Sequence, residues 1–204
     1  AQAARRYLAT ASPDLDEVKE ILNDIVKENT RASEVINRLR ALLKKEKMEF
    51  EPLDLNAVFR EVVRLLHSDA ARRGTEFSLK LDPRLPAVQG DKIQLQQVAL
   101  NLVLNAFEAM QECPGVERGV LIRTWRQDSG ILAAVTDNGN GIPAGETDKI
   151  FNAFYTTKPH GLGMGLSICR SIINSHQGRL WAENNLARGA TFYFSLPAAT
   201  SVHP

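Results

Sequence analysis

Ile131-Leu132-Ala133-Ala134-Val135-Thr136-Asp137-Asn138-Gly139-Asn140-Gly141, continuing into Ile142-Pro143, is the stretch that decides how this chain of 204 residues is read. An apolar run that stops at an acid and two glycines has the pattern of a buried strand delivering a carboxylate to the rim of a pocket. Asp-Asn-Gly is equally ordinary turn chemistry, and taken alone the run describes a hairpin. The surrounding segments separate the two readings.

On the C-terminal side lies Phe151-Asn152-Ala153-Phe154-Tyr155-Thr156-Thr157-Lys158-Pro159-His160-Gly161-Leu162-Gly163-Met164-Gly165-Leu166. Three glycines at alternate positions open a helix there, so backbone N–H groups and the helix N-terminus would face an anion. The segment is no Walker A motif, which needs Lys-Ser or Lys-Thr after its last glycine, and it lacks the dinucleotide spacing. By itself it is also compatible with a plain surface loop.

On the N-terminal side the helix expected over Asp91 to Met110 carries Leu100, Val103, Leu104 and Phe107 on its apolar face. It also carries a polar stripe of Asn101, Asn105, Glu108 and Glu112. A solvated face accounts for the two glutamates. Short neutral amides set among apolar residues point instead to a polar ligand or an ion. An Asn oxygen suits Mg²⁺, which keeps most of its waters and takes further ligands from phosphates.

Around these segments the periodicity gives a helix over Asn56 to Arg73 closed by Gly74 and a strand over Thr75 to Leu81. A hairpin follows, with Val120 to Gln127 and Ile131 to Thr136 joined by Asp128-Ser129-Gly130. Then come a helix over Gly165 to Gln177 ended by Gly178 and strands near Arg179 to Glu183 and Thr191 to Leu196. Helices against one face of a mixed, partly antiparallel sheet make an α+β two-layer sandwich.

A different segment precedes it. Ser12-Pro13-Asp14 starts a helix, and Leu15, Val18, Leu22, Ile25, Asn29, Ala32, Ile36, Leu39 and Leu43 then recur at alternating three- and four-residue steps, as in a heptad seam. Helical from Asp14 to Met48, it would be about 50 Å long. Val35 and Leu42 widen the stripe toward a helical bundle, and Asn29 interrupts it either as a register residue or as an exposed polar one. Lys44-Lys45-Glu46-Lys47 and Pro52 mark a boundary, giving a helical segment 1–48 and a sandwich 49–204.

Composition sets the outer limits. With 44% hydrophobic and 24% charged residues the chain is expected to be globular and soluble, and a net charge of +1 offers no field for nucleic acid. It has neither a bilayer-spanning apolar run nor a secretory pattern, and Cys113 and Cys169 show no metal-type spacing, so a reduced cytoplasmic setting without membrane contact is expected. The opening Ala1-Gln2-Ala3-Ala4-Arg5-Arg6, without Met, reads as a fragment's start.

In this order the segments resemble the ATP-binding domain of bacterial two-component sensor histidine kinases. Asn101 to Asn105 is similar to the family's asparagine box, Asp137 to Gly141 to its first glycine box, Phe151 to Phe154 to its aromatic box and Gly161 to Gly165 to its second glycine box. The seam helix, with Val35-Ile36-Asn37-Arg38-Leu39-Arg40, resembles the second helix of the dimerisation hairpin in the oxygen-sensing members.

The resemblance implies a Bergerat-type ATP-binding sandwich using ATP and Mg²⁺, a homodimer formed through the hairpin, and relay to the receiver domain of a response regulator. Asp137 would accept from the adenine amino group, with Thr191 supporting the same edge through water and Gly139 and Gly141 letting the base approach the backbone. Asn105 would hold Mg²⁺ with Asn101 beside it. Gly161, Leu162, Gly163, Met164, Gly165 and Leu166 would wrap the phosphates, and Thr156 to His160, with Thr157 and Lys158 among them, would form a short lid from which Lys158 would contact a phosphate. Phosphoryl transfer is largely positioning and charge neutralisation, so no covalent catalyst is needed on the ATP side.

Two features depart from the family. Many relatives carry a basic residue where this chain has Glu108. None of His67, His160, His176 and His203 matches the acceptor-histidine motif, so autophosphorylation is not expected of this chain. Related ATPases place Glu at the position of Asn101, and an amide cannot serve as the base that activates water. Serine kinases of the same fold and a non-catalytic nucleotide-binding dimerisation module remain the rival readings.

Overall fold

The computed structural model describes residues 18, 19, 21, 22, 49–111, 113, 115, 117–128, 130–157 and 162–199. The chain divides into two compact units, residues 1–47 and 48–204. In the first, Val18, Lys19, Ile21 and Leu22 are helical. The other seam positions of the expected Asp14 to Met48 helix lie outside the described residues.

The second unit runs β1 (Glu51–Leu53), α1 (Leu55–Arg72), β2 (Thr75–Leu81), β3 (Val88–Gly90), α2 (Lys92–Gln111), β4 (Arg118–Gln127), β5 (Gly130–Asp137), a 3₁₀ turn (Lys149–Phe151), α3 (Gly165–Ser175), β6 (Arg179–Asn184) and β7 (Ala190–Pro197). Asp54 caps α1 by accepting from the Asn56 amide at 2.8 Å. Leu55, Val58, Phe59, Val62, Leu66 and Ala70 then fall on one buried stripe. Helix α2 buries Leu95, Val98, Ala99, Leu102, Val103, Ala106, Phe107 and Met110 by the same spacing. Each large apolar side chain so buried contributes about 1.5–3 kcal/mol.

The main sheet has the order β2-β4-β5-β7-β6, with β2 and β4 parallel and the other pairs antiparallel. Ile131, Ala133 and Val135 of β5 and Phe192, Phe194 and Leu196 of β7 join the helices in one core. Leu132, Ala134, Thr136 and Thr191, Tyr193, Ser195 alternate onto the opposite face. Trp181 and Tyr193 stack there at 5.4 Å. This is the expected two-layer α+β sandwich. The pairing of β1 with β3 into a second, two-stranded sheet is new, because three-residue strands leave no alternation to read.

Buried polar groups pin the layers together. Asn56 donates to the Asp82 carbonyl at 2.8 Å and accepts from the Thr124 hydroxyl at 2.7 Å, fixing α1 to the sheet. His176, 2% exposed, sits at the C-terminus of α3. Its Nε2 accepts from the Asp91 amide at 3.0 Å, and Nδ1 lies 2.8 Å from the Ile172 carbonyl, to which it donates. The Phe50 ring lies 4.8 Å away. One imidazole thus joins the entry to the unit, the start of α2 and the end of α3.

Candidate nucleotide site

The polar stripe of α2 is bounded on both sides. Asn101 lies beside the thiol of Cys169 on α3, a group that burial pushes up to about 12. One turn beyond Asn105, the Ala109 carbonyl accepts from the Asn140 amide at 3.2 Å, and a Cβ on Gly139 would collide with the same carbonyl. The loop after β5 and the start of α3 are therefore packed against the same helix as Asn101 and Asn105. Both asparagines are half-buried, and no described residue hydrogen-bonds the Asn105 amide. Glu108 is exposed, and Glu112 lies outside the described residues.

Asp137 ends β5 with its side chain on the helix side, 3% exposed. Its Oδ1 accepts from the Gly139 amide at 2.8 Å and from the Ala190 amide at 3.3 Å. No described residue donates to Oδ2. Burial raises the carboxyl above the ordinary carboxylate range, while the two backbone N–H groups pull it down. One oxygen is thus fixed by the backbone, and the other takes no bond from a described residue.

Thr191 is not the companion of Asp137 that the sequence suggested. It pairs with Thr136 across β5 and β7, so its side chain lies on the open face of the sheet. Its hydroxyl donates to Asn185 Oδ1 at 2.7 Å and lies 2.9 Å from the Thr136 hydroxyl. Ala190, one residue earlier, shares the face of Asp137. A one-residue offset along a strand turns a side chain to the other side, and only the pairing register reveals it.

The glycines serve the fold as well as the opening. Gly141 has φ +75°, with Asn184 and Gly189 where a Cβ would sit, and Gly163 has φ +64° with Tyr155 backbone against it. Gly139 and Gly141 thus face protein on the side where a Cβ would point, which is a packing reason distinct from base approach. Phe154, at φ +67° and 76% exposed, donates its amide to the Gly163 carbonyl at 3.0 Å, stitching the aromatic segment to the glycine loop. Phe151 is core, edge-on to Phe192 at 6.4 Å. The Tyr155 hydroxyl is raised by its hydrogen bond to Glu146.

Gly165 begins α3, and no described side chain caps its first N–H groups, a favourable arrangement for an anion. Met164 is buried and Leu162 and Leu166 pack on the core, so these three offer main-chain groups only. Thr156 and Thr157 are exposed. Lys158 and Gly161 lie outside the described residues.

The sequence reading missed the β6–β7 turn. Asn184 accepts from the Ile142 amide at 2.7 Å and donates to its carbonyl at 2.8 Å, Asn185 donates to the Asp137 carbonyl at 2.8 Å, and Arg188 Nε donates to the Gly139 carbonyl at 3.0 Å. Asn-Asn followed by Arg-Gly between two strands announces a turn but not what the turn holds.

A divalent cation would find few protein ligands here: among the described residues there is no cluster of three or more His, Cys, Asp or Glu. The Asn105 amide, to which no described residue hydrogen-bonds, fits Mg²⁺, whose remaining ligands come from phosphate and water. Among the described residues no helix is long and apolar enough to cross a membrane.

Residues 90–200 match the family model described as histidine kinase-, DNA gyrase B- and HSP90-like ATPase. The chain is 35% identical to the sensor histidine kinase TmoS of Ectopseudomonas mendocina over 98% of its own length and 21% of that protein. It is 38% identical to the sensor protein FixL of Bradyrhizobium diazoefficiens over 97% of its length and 39% of that protein. It therefore spans well under half of these relatives. The catalytic domain of the histidine kinase ThkA superposes with a TM-score of 0.67 at 36% identity, covering 74% of this chain and 97% of that one. ThkA in complex with the response regulator TrrA gives 0.74 at 28% identity, covering 98% and 56%.

Proposed function

The chain belongs to the histidine kinase-, DNA gyrase B- and HSP90-like ATPase family, in company with the sensor histidine kinases, and from that premise we propose that it is the ATP-dependent kinase core of a two-component signalling protein. In this reading it transfers the γ-phosphoryl group of ATP to a histidine on a dimerisation hairpin, for relay to a response-regulator receiver domain. The observation that carries it is Asp137, with one carboxylate oxygen fixed by two amides and the other open at the end of a strand. Such an oxygen accepts an exocyclic amino group of a purine.

Bound Mg²⁺ would neutralise phosphate charge, and Asn105 is the residue to hold it, with Asn101 alongside. The uncapped N-terminus of α3 would receive the phosphates. Asn101 lacks the basicity to activate water, which favours kinase over hydrolase. The hairpin with its seam, the homodimer it forms and a cytoplasmic setting belong to the same proposal.

Titration with ADP and ATP, with and without Mg²⁺, tests the nucleotide half. Incubation with Mg²⁺-ATP and a supplied hairpin carrying an acceptor histidine tests transfer. No binding of either nucleotide overturns the proposal, and binding without transfer to any histidine hairpin leaves a nucleotide-binding module.

A further inference from the structure

Asp137 is held at both ends by one turn, the β6–β7 connection. Its carboxylate Oδ1 takes the Ala190 amide and its main-chain carbonyl takes Asn185 Nδ2, at 3.3 and 2.8 Å. The Asn185 side chain has little freedom of its own. Its Oδ1 accepts from Thr191, Nδ2 donates also to the Arg188 carbonyl at 3.0 Å, and its amide N–H closes the turn onto the Gly189 carbonyl at 2.9 Å. These partners fix which end of the amide is oxygen and which is nitrogen.

We infer that Asn185, oriented by Thr191, is a positioning residue that aims the free oxygen of Asp137 and so sets the preference for adenine over guanine nucleotides. The inference rests on the reading that Asp137 receives the base. The two purines differ at the edge such an oxygen meets. Adenine presents an amino donor, whereas guanine presents a carbonyl there and its N–H donors at the neighbouring positions. A carboxylate fixed on the adenine amine meets the guanine carbonyl with like partial charge, but one free to swing can accept the guanine N–H groups instead. Discrimination therefore depends on how firmly Asp137 is held, and the Thr191–Asn185–Asp137 chain supplies the restraint that Oδ1 alone does not, because it fixes the peptide from which the side chain projects.

The test is a paired titration of the whole chain with ADP and GDP in Mg²⁺, with thermal unfolding recorded alongside. Asn185→Ala and Thr191→Val should lower the ADP-over-GDP preference by up to about tenfold, the factor one hydrogen bond corresponds to. Thr191→Ser, which keeps the hydroxyl, should restore the preference. Thr191→Val preserves side-chain shape and carries the test if Asn185→Ala fails to fold. A purely structural role would weaken both nucleotides alike, so an unchanged ratio in folded variants overturns the inference while leaving the kinase proposal standing. A parent chain that binds neither nucleotide overturns both, and is recognised before any variant is made.

Discussion

Ala190 and Asp137 are joined by a backbone-to-carboxylate hydrogen bond of 3.3 Å on the helix side of the sheet, while the next residue, Thr191, turns its hydroxyl to the other side. In the proposed reading, recognition of a base at this edge therefore rests on Asp137. Replacing Asp137 by Asn keeps an acceptor for the backbone amides but places an NH₂ or a misaligned oxygen toward the ligand. Adenine nucleotide affinity should fall by at least about tenfold with the fold retained. Unchanged affinity in a folded Asp137→Asn variant would remove base recognition from this residue.

The same carboxyl predicts a pH signature. Burial raises it, so the folded chain holds that proton more tightly than the unfolded chain does. Ligand-free stability should then decline as pH rises from the ordinary carboxylate range through the higher folded-state titration, and level off above it. Asp137→Asn should lack this component, so the variant gains on the parent over that window. Nucleotide affinity should run the other way, rising with pH as the acceptor ionises. Parallel unfolding-versus-pH curves for parent and variant would contradict the assignment.

Asn105→Ala should weaken Mg²⁺-nucleotide affinity by about tenfold and leave magnesium-free binding close to the parent's, since the amide is read as touching the ligand only through the ion. Calorimetry in the presence of Mg²⁺ and of a chelator separates the cases. An equal loss in both would make Asn105 a packing residue.

His176→Leu strands the Asp91 N–H that His176 Nε2 accepts in a buried site. The cost is about 1–3 kcal/mol, which in a unit of this size lowers the melting temperature by roughly 2–12 °C. A melting temperature within error of the parent's would show that another acceptor, or water, replaces the imidazole.

Incubated alone with Mg²⁺-ATP, the chain should not label itself on histidine. His176 has both ring nitrogens engaged in a buried site, and His67 lies on the exposed side of α1, away from the Asn101 and Asn105 stripe on α2. In-line attack needs an imidazole nitrogen at near-attack distance from the γ-phosphorus. Acid-labile label mapped to His67, His160, His176 or His203 would overturn this expectation.

Much of the molecule was legible in the sequence because the signals are local. A 3.6-residue spacing of Val58, Val62 and Leu66, or of Leu100, Val103, Leu104 and Phe107, determines a helix and its inner face. The alternation of Thr75, Phe77, Leu79 and Leu81 marks a strand, although Leu79 is exposed, and Asp137 before two glycines marks where a strand stops. What only the tertiary structure decided is relative placement. Whether Ala190 or Thr191 faces Asp137 depends on the register of β7 against β5, a long-range pairing that leaves the alternation of either strand unchanged. The bonds from Asn184, Asn185 and Arg188 to the loop after β5 join segments more than forty residues apart. Side chains that are ordinary turn residues by composition become the restraint on Asp137 only once β6 and β7 bring them beside it.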